Sequence, residues 1–269
     1  MKIISDKKKL IEVLLREENV GFVPTMGAIH KGHVSLIKKS INQNEKTVVS
    51  IFINKPQFNK KHDFVNYPRV LKDDKKILEK IKVDYVFIPT NKQIYPKGVN
   101  KNIEVNKFKK DLCGKFRPNH FEAIVDVVQR FLKIINPKRI YLGKKDMQQL
   151  IIIKDYLKKN KIKTKVIACK TIRQKNGVAF SSRNLLLNED NQRVASRIYK
   201  ILKISKRNIL NRKILIKNIK DKIFRLGIKK IDYLKVLDVN KVVKPYKKKS
   251  NKKIFIAYYI NSVRLIDNI

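Results

Sequence analysis

Along this chain, short solid runs of apolar residues alternate with stretches in which apolar residues return every third or fourth position, the signature of buried strands separated by amphipathic helices. Leu10 to Leu15 reads as a short amphipathic helix, and Val20 to Val23 as an apolar strand stopped by Pro24. Val34, Ile37 and Ile41 mark a helix, and Thr47 to Ile53 is β-branched, aromatic and almost wholly apolar, as expected of a strand buried on both faces of a parallel sheet. Within Tyr67 to Lys82, Leu71, Ile77, Leu78 and Ile81 keep helical spacing, and Asp84 to Ile88 is a further strand. Residues 91 to 119 are lysine-rich and weakly periodic and read as a loop region. Beyond them Phe121, Ile124, Val125, Val128, Leu132 and Ile135 form one helix face. Strands at Arg139 to Leu142 and Lys165 to Ala168 continue the rhythm. After a polar connector the texture changes to helices from about Glu189 to Phe224 and strands at Asp232 to Val239 and Ile254 to Tyr259. The expected architecture is α/β: a Rossmann-like parallel-sheet nucleotide-binding domain over residues 1–175, followed by a smaller α+β domain over residues 176–269.

In open α/β sheets ligands sit beyond the carboxyl ends of the strands, so the strand exits carry the candidate chemistry. The first exit runs through Pro24, Thr25, Met26, Gly27, Ala28, Ile29, His30, Lys31, Gly32 and His33 into a helix, with His30 and His33 expected on one side of its first turn. Free backbone N–H groups and the positive helix end make such a turn a phosphate site, and two imidazoles beside it supply donors to phosphoryl oxygens. The same spacing also fits a capped helix start with solvated histidines. At the next exit Asn54 and Gln57 present amides, either to a small polar substrate or as an ordinary strand-to-loop exit. At Gly143, Lys144, Lys145 and Asp146 the chain again turns into a helix. Lys145 offers a point charge to phosphate and Gln149 faces the crevice of Gln57, while Asp146 with Gln149 also spells a capping box. In the connector, Asn176-Gly177 is a turn signal, and Ser181, Ser182 and Arg183 group two hydroxyls with a guanidinium suited to a triphosphate.

Composition alters this picture little. The 65 Lys and Arg against 22 Asp and Glu give a net charge of +43, which taken alone favours polyanionic partners. The lysines are spread through every predicted helix and loop, so the pattern fits a general drift in composition better than a dedicated nucleic-acid surface. The two cysteines, Cys113 and Cys169, have no paired spacing, which argues against a disulfide framework or zinc site and for a reducing compartment. No signal-peptide core is present, and no apolar run approaches the ~20 residues of a membrane helix; the expected location is the cytoplasm, with no membrane partner.

Assembled in order, the segments resemble the pantothenate synthetase (pantoate beta-alanine ligase) family of the His-x-Gly-His nucleotidyltransferase superfamily. The resemblance rests on Pro24 to Ala28 with His30 to His33, Val49 to Asn54 with Gln57-Phe58, Tyr67-Pro68-Arg69, Arg117-Pro118 with His120-Phe121, Lys145-Asp146 with Gln148-Gln149-Leu150, and Ser181 to Asn184. It spans residues 22 to 184; the last third is similar in length and general character only. The resemblance implies that pantoate attacks the α-phosphate of ATP, releasing pyrophosphate, and that beta-alanine then displaces AMP from a pantoyl adenylate, with Mg²⁺ accompanying ATP and its protein ligands left open. It further implies an ATP site of Met26, Gly27, Ala28, Ile29, His30, Lys31, Gly32 and His33, completed by Gly143, Lys144, Lys145, Asp146, Ile172, Phe180, Ser181, Ser182 and Arg183. His33 would be the catalytic donor, Gln57 and Gln149 would hold pantoate with Gln57 also facing beta-alanine, and the protein would be a homodimer. Three positions depart from the family pattern: Lys144 stands where glutamate is usual, and Asn119 and Ala123 where glycines are usual. Another adenylate-forming nucleotidyltransferase would share the histidine turn but not Gln57 and Gln149, and a basic nucleic-acid-binding protein would show aromatic residues along a basic stripe, which are not seen.

Overall fold

The computed structural model of the chain describes residues 1–211 and 213–269. In chain order the first part runs β1 (Lys2–Ile4), α1 (Lys7–Leu14), β2 (Val20–Thr25), α2 (Lys31–Ile41), β3 (Lys46–Ile51), α3 (Lys61–Val65), α4 (Leu71–Lys80), β4 (Tyr85–Phe87), α5 (Asn91–Ile94), α6 (Leu112–Phe116), α7 (His120–Ile135), β5 (Arg139–Gly143), α8 (Met147–Lys159) and β6 (Lys165–Cys169). Then come α9 (Glu189–Leu210), α10 (Ile216–Phe224), β7 (Lys230–Asp238), β8 (Lys252–Ile260) and β9 (Val263–Asn268). The first six strands form one parallel sheet in the order β1-β4-β3-β2-β5-β6, and the last three an antiparallel sheet in the order β7-β8-β9.

The solid apolar runs become strands covered on both faces. On β2, Phe22 turns to one side, where it meets Phe131 of α7 with ring centroids 5.5 Å apart, and Val23 turns to the other, against Leu36 and Ile37 of α2. Val48 and Val49 of β3 divide in the same way. Full burial of each such side chain contributes about 1.5–3 kcal/mol. A third cluster joins α9 and α10 to the antiparallel sheet and draws only on residues from Val178 onward, whereas Tyr233, Phe255 and Ala257 of that sheet pack into the cluster around Phe22. Among the described residues no helix is long and apolar enough to cross a membrane.

The sheet order positions the site. From β2 the chain steps one way to β3 and β4, then returns to β5 and β6 on the other side, so the order reverses between β2 and β5, the switch point where such sheets bind ligands. β2 and β5 pair only at Gly21 and Phe22 and part beyond them, which opens a crevice between the two strand exits.

Several expectations change. Pro24 does not stop β2; it pairs with Ser50 of β3 inside the strand. The missing N–H is tolerated because β5 has already left that flank, which makes the position edge-like. The region 91–119 is more ordered than its composition indicates. It contains α5, a 3-10 turn at Lys107–Lys110 and α6, and it buries Ile94, Ile103, Phe108, Leu112 and Cys113. The strands β1 and β9 were too short or too polar to stand out. The capping box at Asp146 does not form: Asp146 starts α8 without a side-chain cap bond.

Candidate active site

Residues 26–30, between β2 and α2, form a tight turn whose backbone is set by one buried carboxylate. Asp74 of α4, 1% exposed, accepts hydrogen bonds from the N–H groups of Ala28 (2.9 Å) and Ile29 (2.6 Å). Gly27 and Ala28 both have positive φ, 79° and 50°; only the first is a glycine, so the second carries the strain of a Cβ in the left-handed region. A Cβ on Gly27 would lie 2.9 Å from the Asp74 carboxylate. The expected phosphate cradle is therefore only partly available, since the N–H groups of Ala28 and Ile29 are satisfied internally. The Ala28 carbonyl accepts from the Ser182 hydroxyl at 3.2 Å, which ties the turn to the segment after β6.

His30 is the N-cap of α2. Its Nδ1 accepts the His33 N–H at 3.3 Å, and the two imidazoles stack with centroids 3.9 Å apart and planes 15° apart. Gly32 is needed for this: a Cβ there would meet the His30 ring at 2.8 Å. The capping reading thus holds for His30, but neither ring is freely solvated. Burial, then the charge of Lys145, lowers the His30 pKa to about 4, and burial, the His30 ring and Lys145 hold His33 well below its ordinary range. Both imidazoles are neutral at pH 7. The Nδ1 of His33 is buried without a partner, which leaves Nε2 as its nitrogen accessible to a ligand.

The other strand exits converge on the same cavity, about 610 Å³ in volume. Beyond β5, Lys145 lies beside Asp146 at 3.4 Å. Beyond β6, Ile172 and Phe180 close a short antiparallel turn around Gly177, with the Phe180 ring 6.1 Å from His30. Ser181 accepts the Arg183 N–H, and the Arg183 guanidinium grips the Asp63 carboxylate of α3 through two bonds of 2.9 and 3.1 Å. Beyond β3, Asn54 donates to Gln57 Oε1 at 3.1 Å and Tyr95 donates to Asn54 at 2.7 Å, so the Gln57 amide is oriented with its N–H₂ toward Met26 Sδ. Gln148 spends both ends of its amide on the backbone of Phe108, Asp111 and Cys113. Its neighbour Gln149 also lines the cavity, and its side chain makes no hydrogen bond among the described residues.

The sequence matches the profile of the family described as pantoate-beta-alanine ligase over residues 2–269. The chain belongs to the pantoate-beta-alanine ligase family. It is 37% identical to a pantothenate synthetase of Caldicellulosiruptor saccharolyticus, across 99% of this chain and 96% of the relative, and 41% identical to one of Francisella tularensis subsp. novicida, across 95% and 90%. Among solved structures it is similar to the pantoate-beta-alanine ligase of Francisella tularensis complexed with beta-gamma ATP and beta-alanine (TM-score 0.85, 38% identity, 100% and 97% of the two chains). It is also similar to the pantothenate synthetase of Thermus thermophilus (TM-score 0.88, 29% identity, 100% and 99%).

Of the departures from the ligase family pattern, Asn119 has a local explanation and the structure explains neither Ala123 nor Lys144. Asn119, just before α7, has φ 58°, a left-handed conformation that asparagine tolerates better than other side-chain-bearing residues. Ala123 offers its carbonyl to Asn54 at 3.2 Å, as a glycine would. The Lys144 side chain is exposed, and its carbonyl accepts from Asn268 of β9. Two residues that shape the site are not assigned to it from the sequence, although Tyr67 lies in one of the motifs that carry the resemblance. Asp74 sits between lysines in a stretch that reads as a solvated helix face. Tyr67 is buried beneath the Arg183 guanidinium, 5.6 Å from its ring centroid, and burial raises its pKa.

Proposed function

We propose that the chain ligates pantoate to beta-alanine at the expense of ATP through a pantoyl adenylate, with His33 as the donor at the reacting phosphate. The observation that carries this reading is the neutral, stacked His30 and His33 pair, sharing one cavity with Lys145 and with two glutamine amides. In the first step a pantoate carboxylate oxygen bonds to the α-phosphorus and the bond to pyrophosphate breaks. Neutral His33 donates a hydrogen bond through Nε2 to the oxygens where negative charge grows, and Lys145 adds a fixed positive charge. In the second step the beta-alanine amine bonds to the activated carbonyl carbon, AMP leaves and the amine gives up a proton. Such chemistry relies on positioning and charge stabilisation, with no covalent enzyme nucleophile.

ATP is assigned to Met26, Gly27, Ala28, Ile29, His30, Lys31, Gly32 and His33, with Gly143 to Asp146, Ile172 and Phe180 to Arg183. Ala28 and Ile29 enter through shape and their neighbours, because their N–H groups serve Asp74. Arg183 meets phosphate only by sharing or releasing Asp63. Gln57 and Gln149 are assigned to pantoate, and Gln57 also to beta-alanine. Among the described residues no cluster of three metal-ligating side chains exists. Mg²⁺ is assigned to arrive with the triphosphate, since this ion keeps waters and takes one or two carboxylates. Asp146, 46% exposed in the cavity wall, would hold it by giving up its contact with Lys145, and the ion would offset phosphate charge. The division of the chain is placed near residue 175, between the parallel-sheet unit and the C-terminal unit. A homodimer and a cytoplasmic location complete the reading, the former testable by sedimentation in physiological salt.

Pantoate-dependent exchange of labelled pyrophosphate into ATP, with beta-alanine absent, tests the two-step scheme. Exchange that requires beta-alanine would remove the adenylate.

A further inference from the structure

One part of the cavity has no role in the reading above: the segment Arg117 to His120, which leads from α6 into α7. The guanidinium of Arg117 feels two others here, those of Arg183 and Arg264. Arg183 has its own carboxylate, Asp63, at 2.9 Å, and Arg264 has Asp232 at 2.7 Å. Arg117 has none. Among the described residues its one hydrogen bond runs from Nη2 to the backbone carbonyl of Gln57 at 3.1 Å, and the same carbonyl accepts from His120 Nδ1 at 2.8 Å. Burial, and next the charge of Arg183, pushes the Arg117 pKa down to about 10, which still leaves the group charged at pH 7. His120 contributes no charge, because burial and Arg117 hold its pKa well below the ordinary range. A desolvated guanidinium without a counter-charge is costly unless a ligand supplies one, and a guanidinium matches a carboxylate through two parallel bonds.

We propose that Arg117 is the seat of the carboxylate of beta-alanine and selects the amine substrate by that group. This rests on the proposed ligase reading. The carboxylate of pantoate loses its charge when it becomes the acyl group of the adenylate, so it cannot balance Arg117 through the second step. The carboxylate of beta-alanine takes no part in bond making and persists into the product. Arg117 also grips the backbone of Gln57, the residue whose amide faces both substrates. A carboxylate bound to the remaining guanidinium nitrogens therefore lies beside Gln57, and two methylene groups separate it from the attacking amine. Amines lacking a carboxylate leave Arg117 unbalanced and are rejected.

The test separates the half-reactions. In Arg117→Gln, KM for beta-alanine should rise roughly 10- to 100-fold, the loss of a charge-assisted pair, while pantoate-dependent pyrophosphate exchange stays within about threefold of wild type. Arg117→Lys should fall between the two, keeping the charge and losing the fork. Wild type should use beta-alaninamide at least tenfold less efficiently than beta-alanine, and Arg117→Gln should lose most of that preference. Wild-type indifference between beta-alanine and its amide would overturn the proposal without requiring any variant to fold. Equal losses for pantoate exchange and beta-alanine in Arg117→Gln would also overturn it, because Arg117 would then act only by shaping Gln57. Absence of exchange in wild type would instead count against the ligase reading.

Discussion

The Asp74→Asn substitution probes the least obvious support of the histidine turn. The Asp74 carboxylate accepts two buried N–H groups, at 2.9 and 2.6 Å. Bonds to a charged acceptor are worth about 1.5–3 kcal/mol each. Asparagine keeps one neutral acceptor, worth about 1 kcal/mol, and sets its N–H₂ against the second N–H group. The net loss is about 2–5 kcal/mol, and Ala28 at its positive φ of 50° is left with weaker support, the remaining amide acceptor and the Ser182 bond to its carbonyl. At about 2–4 °C per kcal/mol for a chain near this size, the melting temperature should fall by about 4–20 °C if the turn unfolds with the rest. If the turn instead gives way locally, ATP must re-form it on binding, and KM for ATP should rise tenfold or more with KM for beta-alanine little changed. Ala28→Gly in the same background should recover part of either loss, since it removes about 1 kcal/mol of left-handed strain. Scanning calorimetry and steady-state titration of each substrate decide the matter. A variant that melts within about 1 °C of wild type and keeps its KM for ATP would show that the two bonds do not organise the turn.

Three further outcomes follow from the site. His33→Ala should lower turnover roughly 10²- to 10³-fold, the cost of one transition-state donor, with the fold retained; near-normal turnover at saturation would leave His33 no catalytic part. Gln57→Leu and Gln149→Leu should each weaken pantoate about tenfold or more, from bonds worth about 1–3 kcal/mol, and leave ATP almost unaffected. Titration with each ligand distinguishes this from a general collapse of the crevice. Stability should fall on acidification, because His30, His33 and His120 all have lowered folded pKa values. Below about pH 6.5 the unfolded chain takes up protons that the fold refuses. The loss from His30 alone grows from pH 6.5 to about pH 4 and reaches at most about 3 kcal/mol, less because its ring is partly exposed. A chemical-denaturation midpoint that is flat from pH 7 to 5 would contradict burial of the neutral rings.

The strand exits were legible because a parallel sheet leaves solid apolar runs, and because glycine and histidine at a strand-to-helix turn are uncommon together. Helix α7 was equally plain, with its apolar face on Phe121, Ile124, Val125, Val128 and Leu132. The region 91–119 was opaque for a physical reason. Its short helices bury only Ile94, Phe108, Leu112 and Cys113, too few residues per element to set a period against a background of lysines. Partnership was opaque as well. Gln148 and Gln149 are adjacent and alike in sequence, yet Gln148 spends its amide on backbone and Gln149 does not, a difference created by α6 arriving from 35 residues upstream. Asp74 is the extreme case, since its two donors are 45 and 46 residues away.

The charge of the chain and the neutrality of its histidines belong to one argument. A net +43 spread over the surface is screened beyond about 10 Å at 0.1 M salt, so it neither builds nor replaces the site. What matters inside the cavity is which carboxylates remain free. Asp74 is committed to two amides, Asp63 to Arg183 and Asp232 to Arg264, while Asp146 sits against Lys145. With those carboxylates engaged, the unbalanced groups are cations, Arg117 above all, and they suit substrates that are themselves anions. In such a field a protonated imidazole beside Lys145 would be unfavourable, and burial removes that option for both His30 and His33. On the proposed reading the pair acts through hydrogen bonds whose strength would rise as phosphoryl charge develops. That reading separates holding anions, assigned to Lys145 and the arginines, from responding to the transition state, assigned to the imidazoles.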